Sequence, residues 1–213
     1  MALYYSVAFL LLSLYASAAS CSQLETDNGK ICMKIGSTAG CKFAQMFMRQ
    51  VNSTNSLYGK YLDIEFLPWG RTTRHANGTL ICQFGEADCW ANRVQRCALS
   101  LLSGNQDAQV RYMLCEYSDP LPALEQRSLA CAAAVGLKII AVDYCVSTSY
   151  GDRLEGPIEE RSREGMEAID RIPFIVFNNI VSVDLYNEVV RRGLARVVCN
   201  ALLADPTTSV TAC

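Results

Sequence analysis

The stretch that decides the fold is the segment Cys82-Gln83-Phe84-Gly85-Glu86-Ala87-Asp88-Cys89-Trp90-Ala91-Asn92-Arg93-Val94-Gln95-Arg96-Cys97. Gly85 follows an apolar run, and the residues after Asp88 have helical spacing, so the segment predicts a strand-to-helix corner. Cys82, Cys89 and Cys97 lie close together in this corner. We interpret them as structural cysteines that hold the corner in place.

The same segment resembles the signature of the gamma-interferon-inducible lysosomal thiol reductase (GILT) family. Two of its positions differ from that signature, because Phe84 replaces a histidine and Asp88 replaces a glutamate. The resemblance implies a thioredoxin-like fold and descent from a thiol reductase. The positions that stand in register with the family are Cys82, Gln83, Gly85, Cys89, Asn92 and Cys97.

The order of patterns along the chain predicts one α/β domain over residues 21–213. A strand–helix–strand unit comes first, a mainly helical insertion of about 86–171 follows, and a hairpin and a closing helix finish the chain. This is the order of a thioredoxin-like sheet with a helical insertion, stabilised by disulfide bonds. The expected elements outside the insertion are strands at 30–35, 61–67, 174–177 and 180–183 and helices at 42–51 and 185–203.

Three local expectations follow from periodicity and capping. The face of the first helix that carries Phe43, Met46, Phe47 and Val51 is expected to pack on the sheet. Asp184 is expected to cap the closing helix. Residues 137–145 fit either a strand or a helix, and the family resemblance favours the helix.

The first twenty residues predict a signal peptide, because an apolar run at 3–15 precedes a run of small residues at 16–20. A membrane anchor is the alternative, but the run is shorter than the ~20 residues that a span requires. A secretory chain with eleven cysteines predicts a disulfide framework. Because that number is odd, at least one cysteine must stay free or link two chains, so a monomer or a disulfide-linked dimer is expected. The remaining cysteines interpreted as structural are Cys115, Cys131, Cys145 and Cys199.

The composition also limits the partners and cofactors. A net charge of −2 gives no reason to expect nucleic acid or an anionic membrane as partner. We expect no metal site and no cofactor, because His75 is the sole histidine and no Cys-x-x-Cys pair exists. Asn52 and Asn77 begin glycosylation sequons, and Asn77 is favoured because Asn77-Gly78 predicts an exposed hairpin turn.

The redox site of a thioredoxin-like domain lies where the first strand leads into the first helix, and its working form is Cys-x-x-Cys. Here the four residues are Thr38-Ala39-Gly40-Cys41, so a threonine replaces the attacking cysteine. Pro173, after Ile172, is placed for the proline that faces this pair in the family. We interpret Thr38, Cys41 and Pro173 as a vestigial site.

Thr38 is expected to cap the first helix through its hydroxyl group. A threonine nucleophile would need a neighbouring base, and nothing in the sequence connects Thr38 to His75. Cys41 has three interpretations: a free buried thiol, a disulfide partner of a cysteine such as Cys32, or a weak monothiol site.

The sequence therefore predicts a secreted, glycosylated GILT-like protein that has lost reductase activity and binds a protein or cell-surface partner. The alternative is a residual thiol-disulfide oxidoreductase that works through Cys41 in an endosomal or extracellular setting. A carrier of small apolar ligands in the helical insertion is a third, weaker interpretation.

Overall fold

The computed structural model describes residues 24–213. Its central strand is β1 (Ile31–Ser37), which pairs in parallel with β2 (Leu62–Pro68) and antiparallel with β5 (Phe174–Phe177). Ile31, Met33 and Ile35 are fully buried at alternate positions of β1, which is the period-2 pattern of a strand with one face in the core. The described residues thus form a three-stranded sheet of order β2-β1-β5.

Within residues 24–213, the helices lie between and after these strands. A short hairpin of β3 (Thr73–Arg74) and β4 (Leu80–Ile81) precedes the helical insertion, which consists of α2 to α7. Residues 137–145, which the sequence left ambiguous, lie mostly in α6. Among residues 24–213, no helix is long and apolar enough to cross a membrane. The helices are α1 (Lys42–Tyr58), α2 (Glu86–Leu101), α3 (Gln106–Glu116), α4 (Pro122–Gln126), α5 (Ala130–Ala134), α6 (Ile139–Ser147), α7 (Ser149–Ile169), α8 (Val183–Arg192) and α9 (Leu194–Ala204).

The buried face of α1 differs from the expected one. Phe43 and Met46 are 67% and 57% exposed, whereas Ala44, Met48 and Val51 are buried. The buried stripe is therefore rotated from the predicted face, and it packs in one core with the buried residues of β1 while α1 lies next to α3 and α9. The prediction is confirmed for Val51 and for Phe47, which packs partly buried against the core, and it was wrong for Phe43 and Met46.

The segment after β5 is also different from the prediction. The expected strand 180–183 is reduced to a single bridge between Phe177 and Ile180. The reason is that α8 begins early: the Ser182 side chain accepts a hydrogen bond from the Leu185 N–H. Ser182, and not Asp184, is therefore the N-cap.

The predicted single helix 185–203 consists of two helices. Gly193 lies between α8 and α9 with a φ of 83°, a backbone conformation that side-chain-bearing residues rarely adopt. The Leu194 N–H at the start of α9 donates to the Gln50 side chain of α1. This contact supports the break in the helix, because it gives a partner to a backbone group that the break leaves free.

One face of the sheet is covered by α7, and two glycines permit the close approach of this helix to the sheet. The Phe174 ring lies against Gly36 of β1 and Gly165 of α7. A Cβ atom added at Gly36 would lie 1.9 Å from this ring, and one added at Gly165 would lie 2.6 Å from it. Side chains at these two positions would therefore separate α7 from the sheet.

A buried carboxylate connects α7 to α2 and to the hairpin. Glu155 lies within 3.2 Å of Arg74, 3.3 Å of Arg93 and 3.8 Å of Arg96. Arg74 and Arg96 also lie over the Trp69 ring, at 5.7 and 5.4 Å from its centroid. Burial lowers the pKa of Arg96 to about 10, and Glu155 opposes this shift. The ion pairs of Glu155 with these arginines thus help to hold the insertion on the rest of the domain.

Four disulfide bonds complete the framework. They include every cysteine that the sequence predicts to be structural. Among the described cysteines, Cys32 and Cys41 are free, so the pairing of these two that the sequence left open is not present. Cys21 and the predicted signal peptide 1–20 lie outside the described residues. The bonds are Cys82–Cys89, Cys97–Cys145, Cys115–Cys131 and Cys199–Cys213.

We predict that the two disulfide bonds of α2 contribute unequally to stability. The sequence separation is 48 residues for Cys97–Cys145 and 7 for Cys82–Cys89. Chain entropy predicts a loss of about 4 kcal/mol for a Cys97→Ala/Cys145→Ala variant and about 2 kcal/mol for Cys82→Ala/Cys89→Ala. Denaturant unfolding of the two double variants measures the difference. Equal losses would contradict the ranking.

Candidate functional site

The candidate site is the loop Thr38–Cys41, where β1 leads into α1. This is the position that the sequence predicts for the vestigial redox site. The Cys41 thiol donates to the Ile172 carbonyl oxygen, with Sγ and O 3.4 Å apart, and the Ile172–Pro173 peptide bond is cis. The structure therefore brings the segment of Pro173 against the loop, as the sequence predicts.

Thr38 is fully buried and is bonded to α2, not to α1. Its Oγ1 lies 2.9 and 2.8 Å from the two carboxylate oxygens of Asp88, to which its hydroxyl donates. Asn92 Nδ2 donates to the same Thr38 Oγ1 at 2.9 Å. The expectation that Thr38 caps α1 was therefore wrong. Its hydroxyl group donates to Asp88 and accepts from Asn92, and both of these residues belong to α2.

Cys41 occupies the N-cap position of α1 instead. Its backbone is extended, with φ −85° and ψ 112°, and its side chain makes no capping hydrogen bond. Cys41 is 7% exposed. The remaining cysteine of the motif thus lies beside the first N–H groups of a helix, but it is almost completely covered.

Asp88 and Asn92 also fix the backbone of the loop. The Gly40 N–H donates to Asp88 Oδ1 at 3.0 Å, and the Ala39 N–H donates to Asn92 Oδ1 at 2.9 Å. Both side chains are fully buried and one helical turn apart on α2. The sequence analysis gave neither residue a role in the site. Two polar residues four positions apart in a helical segment lie on one face of the helix, and this spacing could have indicated that they act together.

Two further residues close the loop from outside. Gly70 packs directly on Thr38, because an added Cβ would lie 2.5 Å from the Thr38 Cβ. The Phe84 ring lies over Gly40, where an added Cβ would be 2.6 Å from it. The residue that replaces the signature histidine is thus in van der Waals contact with the vestigial motif.

The family model described as gamma interferon inducible lysosomal thiol reductase (GILT) matches residues 33–135. The matched range contains both Thr38–Cys41 and the segment 82–97. The chain belongs to the GILT family.

Comparison with solved structures agrees with the fold that GILT membership implies. A thioredoxin-like oxidoreductase from Silicibacter pomeroyi DSS-3 has a TM-score of 0.50 and 12% identity, over 79% of this chain and 89% of that one. Proteus mirabilis ScsC in a transitional conformation has a TM-score of 0.50 and 12% identity, over 85% of this chain and 72% of that one. These likenesses confirm the thioredoxin-like fold. No curated protein sequence matches the chain.

The GILT-family site in this chain has no second sulfur at position 38 to pair with Cys41. His75, the sole histidine, lies on the exposed turn between β3 and β4, where its backbone bonds to Thr79 and Gly78. Within residues 24–213, no group of three or more His, Cys, Asp or Glu side chains could hold a metal ion. Within the loop, the one thiol is that of Cys41, which is buried.

A cluster of buried polar side chains lies at the C-terminal end of α3. Glu116 of α3 is 2% exposed, and no well-formed hydrogen bond reaches its carboxylate from the described residues. Burial raises the pKa of Glu116 to about 7, although the nearby Ala123 N–H and Tyr112 hydroxyl oppose the shift. Burial also raises the pKa of Tyr117 far above its ordinary value, and the Asp88 carboxylate adds to this effect.

We predict that Glu116 makes the protein more stable in acid than at neutral pH. Its folded pKa, about 7, lies above the ordinary value of 4.5, so the folded state holds a proton that the unfolded state releases. The contribution is complete below pH 4.5 and is lost as the pH rises toward 7, by roughly 3 kcal/mol in total. Denaturant unfolding from pH 4.5 to 7.5 should show this loss in the parent and not in Glu116→Gln. Parallel pH profiles of the two proteins would contradict the prediction.

Proposed function

We propose that this chain is a secreted GILT-family glycoprotein that has lost dithiol reductase activity and acts by binding a protein or cell-surface partner. One observation supports the loss most directly. The residue at the attacking position, Thr38, is fully buried, carries no sulfur and is bonded to Asp88 and Asn92. A threonine hydroxyl held in this way cannot form a mixed disulfide with a substrate.

The support for a binding role is the surface beside the loop. Phe84 and Phe43 are 47% and 67% exposed, so two aromatic side chains flank a site that has lost its chemistry. Exposed aromatic side chains are enriched where proteins bind partners. The rim of the vestigial site is therefore the surface that we assign to the partner.

Glycosylation at Asn77 fits this proposal better than glycosylation at Asn52. Asn77 is exposed in the turn between β3 and β4. Asn52 lies within α1, and Thr54 of its sequon is buried with its hydroxyl bonded to the Gln50 carbonyl. We propose Asn77 as the glycosylated residue.

The second candidate function is residual thiol-disulfide exchange through Cys41 in an endosomal or lysosomal setting. Two observations favour it: Cys41 keeps a thiol at the start of α1, where the motif has its second cysteine, and Glu116 favours an acidic medium. Two others oppose it, because Cys41 is 7% exposed and its thiol donates to Ile172.

An insulin-disulfide turnover assay at acid and neutral pH distinguishes the two functions. We expect no turnover above the reductant alone, because the site lacks the attacking thiol. The parent and Cys41→Ala should give the same rate. Sustained turnover by the parent that Cys41→Ala abolishes would overturn the binding proposal in favour of the residual oxidoreductase.

The binding role predicts saturable attachment of the labelled protein to cells. Phe84→Ser and Phe43→Ser should each weaken attachment at least about fivefold, since a buried aromatic contact contributes roughly 1 kcal/mol or more. Ile140→Ser is the matched control, because Ile140 is 78% exposed on α6 in the insertion. If all three variants attach equally well, or if attachment never saturates, the rim of the site is not the binding surface.

A further inference from the structure

We infer that the N-terminal segment of the mature chain docks beside the start of β1 through a disulfide bond between Cys21 and Cys32. Cys32 is a half-buried free thiol in the structure, and Cys21 stands three residues before Leu24, the first described residue. This inference rests on the proposed secretion, because the bond needs an oxidising compartment and a mature chain that retains Cys21.

The chain doubles back beside Cys32 just before β1 begins. Asp27 and Lys30 pair through two backbone hydrogen bonds, of 2.7 and 2.9 Å, around a tight turn. This turn brings the residues before Asp27 alongside the first residues of β1. Leu24 is 5% exposed and belongs to the main hydrophobic core, so the chain is already packed on the domain at its first described residue.

The side chain of Asn178 sets the separation between this segment and Cys32. Its carboxamide group donates to the Glu25 carbonyl oxygen at 2.8 Å and accepts from the Cys32 N–H at 2.9 Å. The Asn178 N–H also donates to the Cys32 carbonyl oxygen at 2.9 Å. The backbone of Glu25 is therefore separated from the backbone of Cys32 by one carboxamide group and its hydrogen bonds.

The chain between Cys21 and Glu25 is long enough to cross this separation. An extended chain spans up to about 3.5 Å per residue, so the Cα atom of Cys21 can lie up to roughly 14 Å from that of Glu25. The Cα atoms of a disulfide bond are usually about 4.4–6.8 Å apart. Cys21 can therefore reach Cys32 without any displacement of β1.

The surroundings of Cys32 leave room for a second cysteine. A pocket of about 390 Å³ lies beside it, between the starts of β1 and β2 and the turn after β5. Cys32 alternates along β1 with the buried residues Ile31 and Met33, so its side chain points away from the main core. A cysteine that enters this pocket can bond to Cys32 without disturbing the packing of the core.

The other described cysteines offer Cys21 no better partner. Eight of them already form the four disulfide bonds. Cys41 follows the opposite end of β1, is 7% exposed and donates its thiol hydrogen to the Ile172 carbonyl oxygen. A bond between Cys21 and Cys32 leaves Cys41 as the single thiol, which agrees with the odd number of cysteines in the sequence. We therefore expect no disulfide-linked dimer.

The bond forms by thiol–disulfide exchange with a low-molecular-weight disulfide. The Cys21 thiolate attacks that disulfide, forms a mixed disulfide with one half and releases the other half as a thiolate. The Cys32 thiolate then attacks the Cys21 sulfur and releases the second half. The two protein thiols are oxidised and lose their protons to water, and the small disulfide is reduced to two thiolates that take up protons.

A disulfide map of the protein from the medium of a secretory host tests the inference. Burial and Asp63 raise the pKa of the Cys32 thiol, so the protein is unfolded in guanidinium chloride with iodoacetamide present before it is digested without reduction. Trypsin cleaves after Lys30 and Lys34, so the two cysteines fall on separate peptides, 21–30 and 31–34. We expect these peptides to be linked and Cys41 to be the one alkylated cysteine.

Three results of this map would overturn the inference. They are alkylation of both Cys21 and Cys32, a bond from Cys21 to another cysteine, and a mature chain that begins after Cys21. Retention of the protein in the cells would instead overturn the proposed secretion. The map is then made on protein from cells lysed in iodoacetamide, so the two failures are distinguishable.

Two variants give an independent readout. In Cys32→Ala, Cys21 should become alkylated or linked to a second thiol, because its partner is removed. Cys41→Ala is the matched control: it removes the other free thiol, and the linked peptides 21–30 and 31–34 should be unchanged. Thermal melting establishes that each variant is folded, and the map of the parent depends on neither. Loss of the linked peptides in Cys41→Ala would contradict the pairing.

Discussion

The Asp88 carboxylate is the group on which the architecture of the loop Thr38–Cys41 depends. It accepts hydrogen bonds from the Thr38 hydroxyl and from the N–H groups of Gly40 and Phe84, so it joins the loop after β1 to the first turn of α2. A buried charge is tolerated only when donors surround it. Asp88 meets this condition by fixing the loop in a conformation in which the hydroxyl at position 38 points into the protein.

The rest of the domain can keep its shape without redox chemistry because its stability comes from other sources. The sheet is closed on one face by α7, through the contacts of Phe174 with two glycines. The insertion is held by Glu155 and its arginines and by disulfide bonds. None of these interactions involves Thr38 or Cys41. The scaffold therefore does not depend on a cysteine at position 38.

The buried polar cluster connects this scaffold to the pH of its surroundings. Glu116 is buried in the core, and burial raises its pKa to about 7. The two carboxylates have different environments: Asp88 has three donors, whereas Glu116 has no well-formed hydrogen bond among the described residues. Burial favours the protonated form of Glu116 more strongly than the nearby Ala123 N–H and Tyr112 hydroxyl oppose it, so the contribution of Glu116 to stability is larger in acid.

The sequence by itself determined the family, the thioredoxin-like fold and the missing sulfur at position 38. These features are readable because they are covalent or local: cysteine spacing, a four-residue motif and the period of buried residues along a strand. The tertiary structure alone decided the role of Thr38. Its partners lie 50 and 54 residues away, and a hydroxyl can cap its own helix or bond to another one. It also decided which face of α1 is buried, since that depends on the helices that pack against it. Local pattern limits what a side chain can do, but only the packed chain determines which partner it meets.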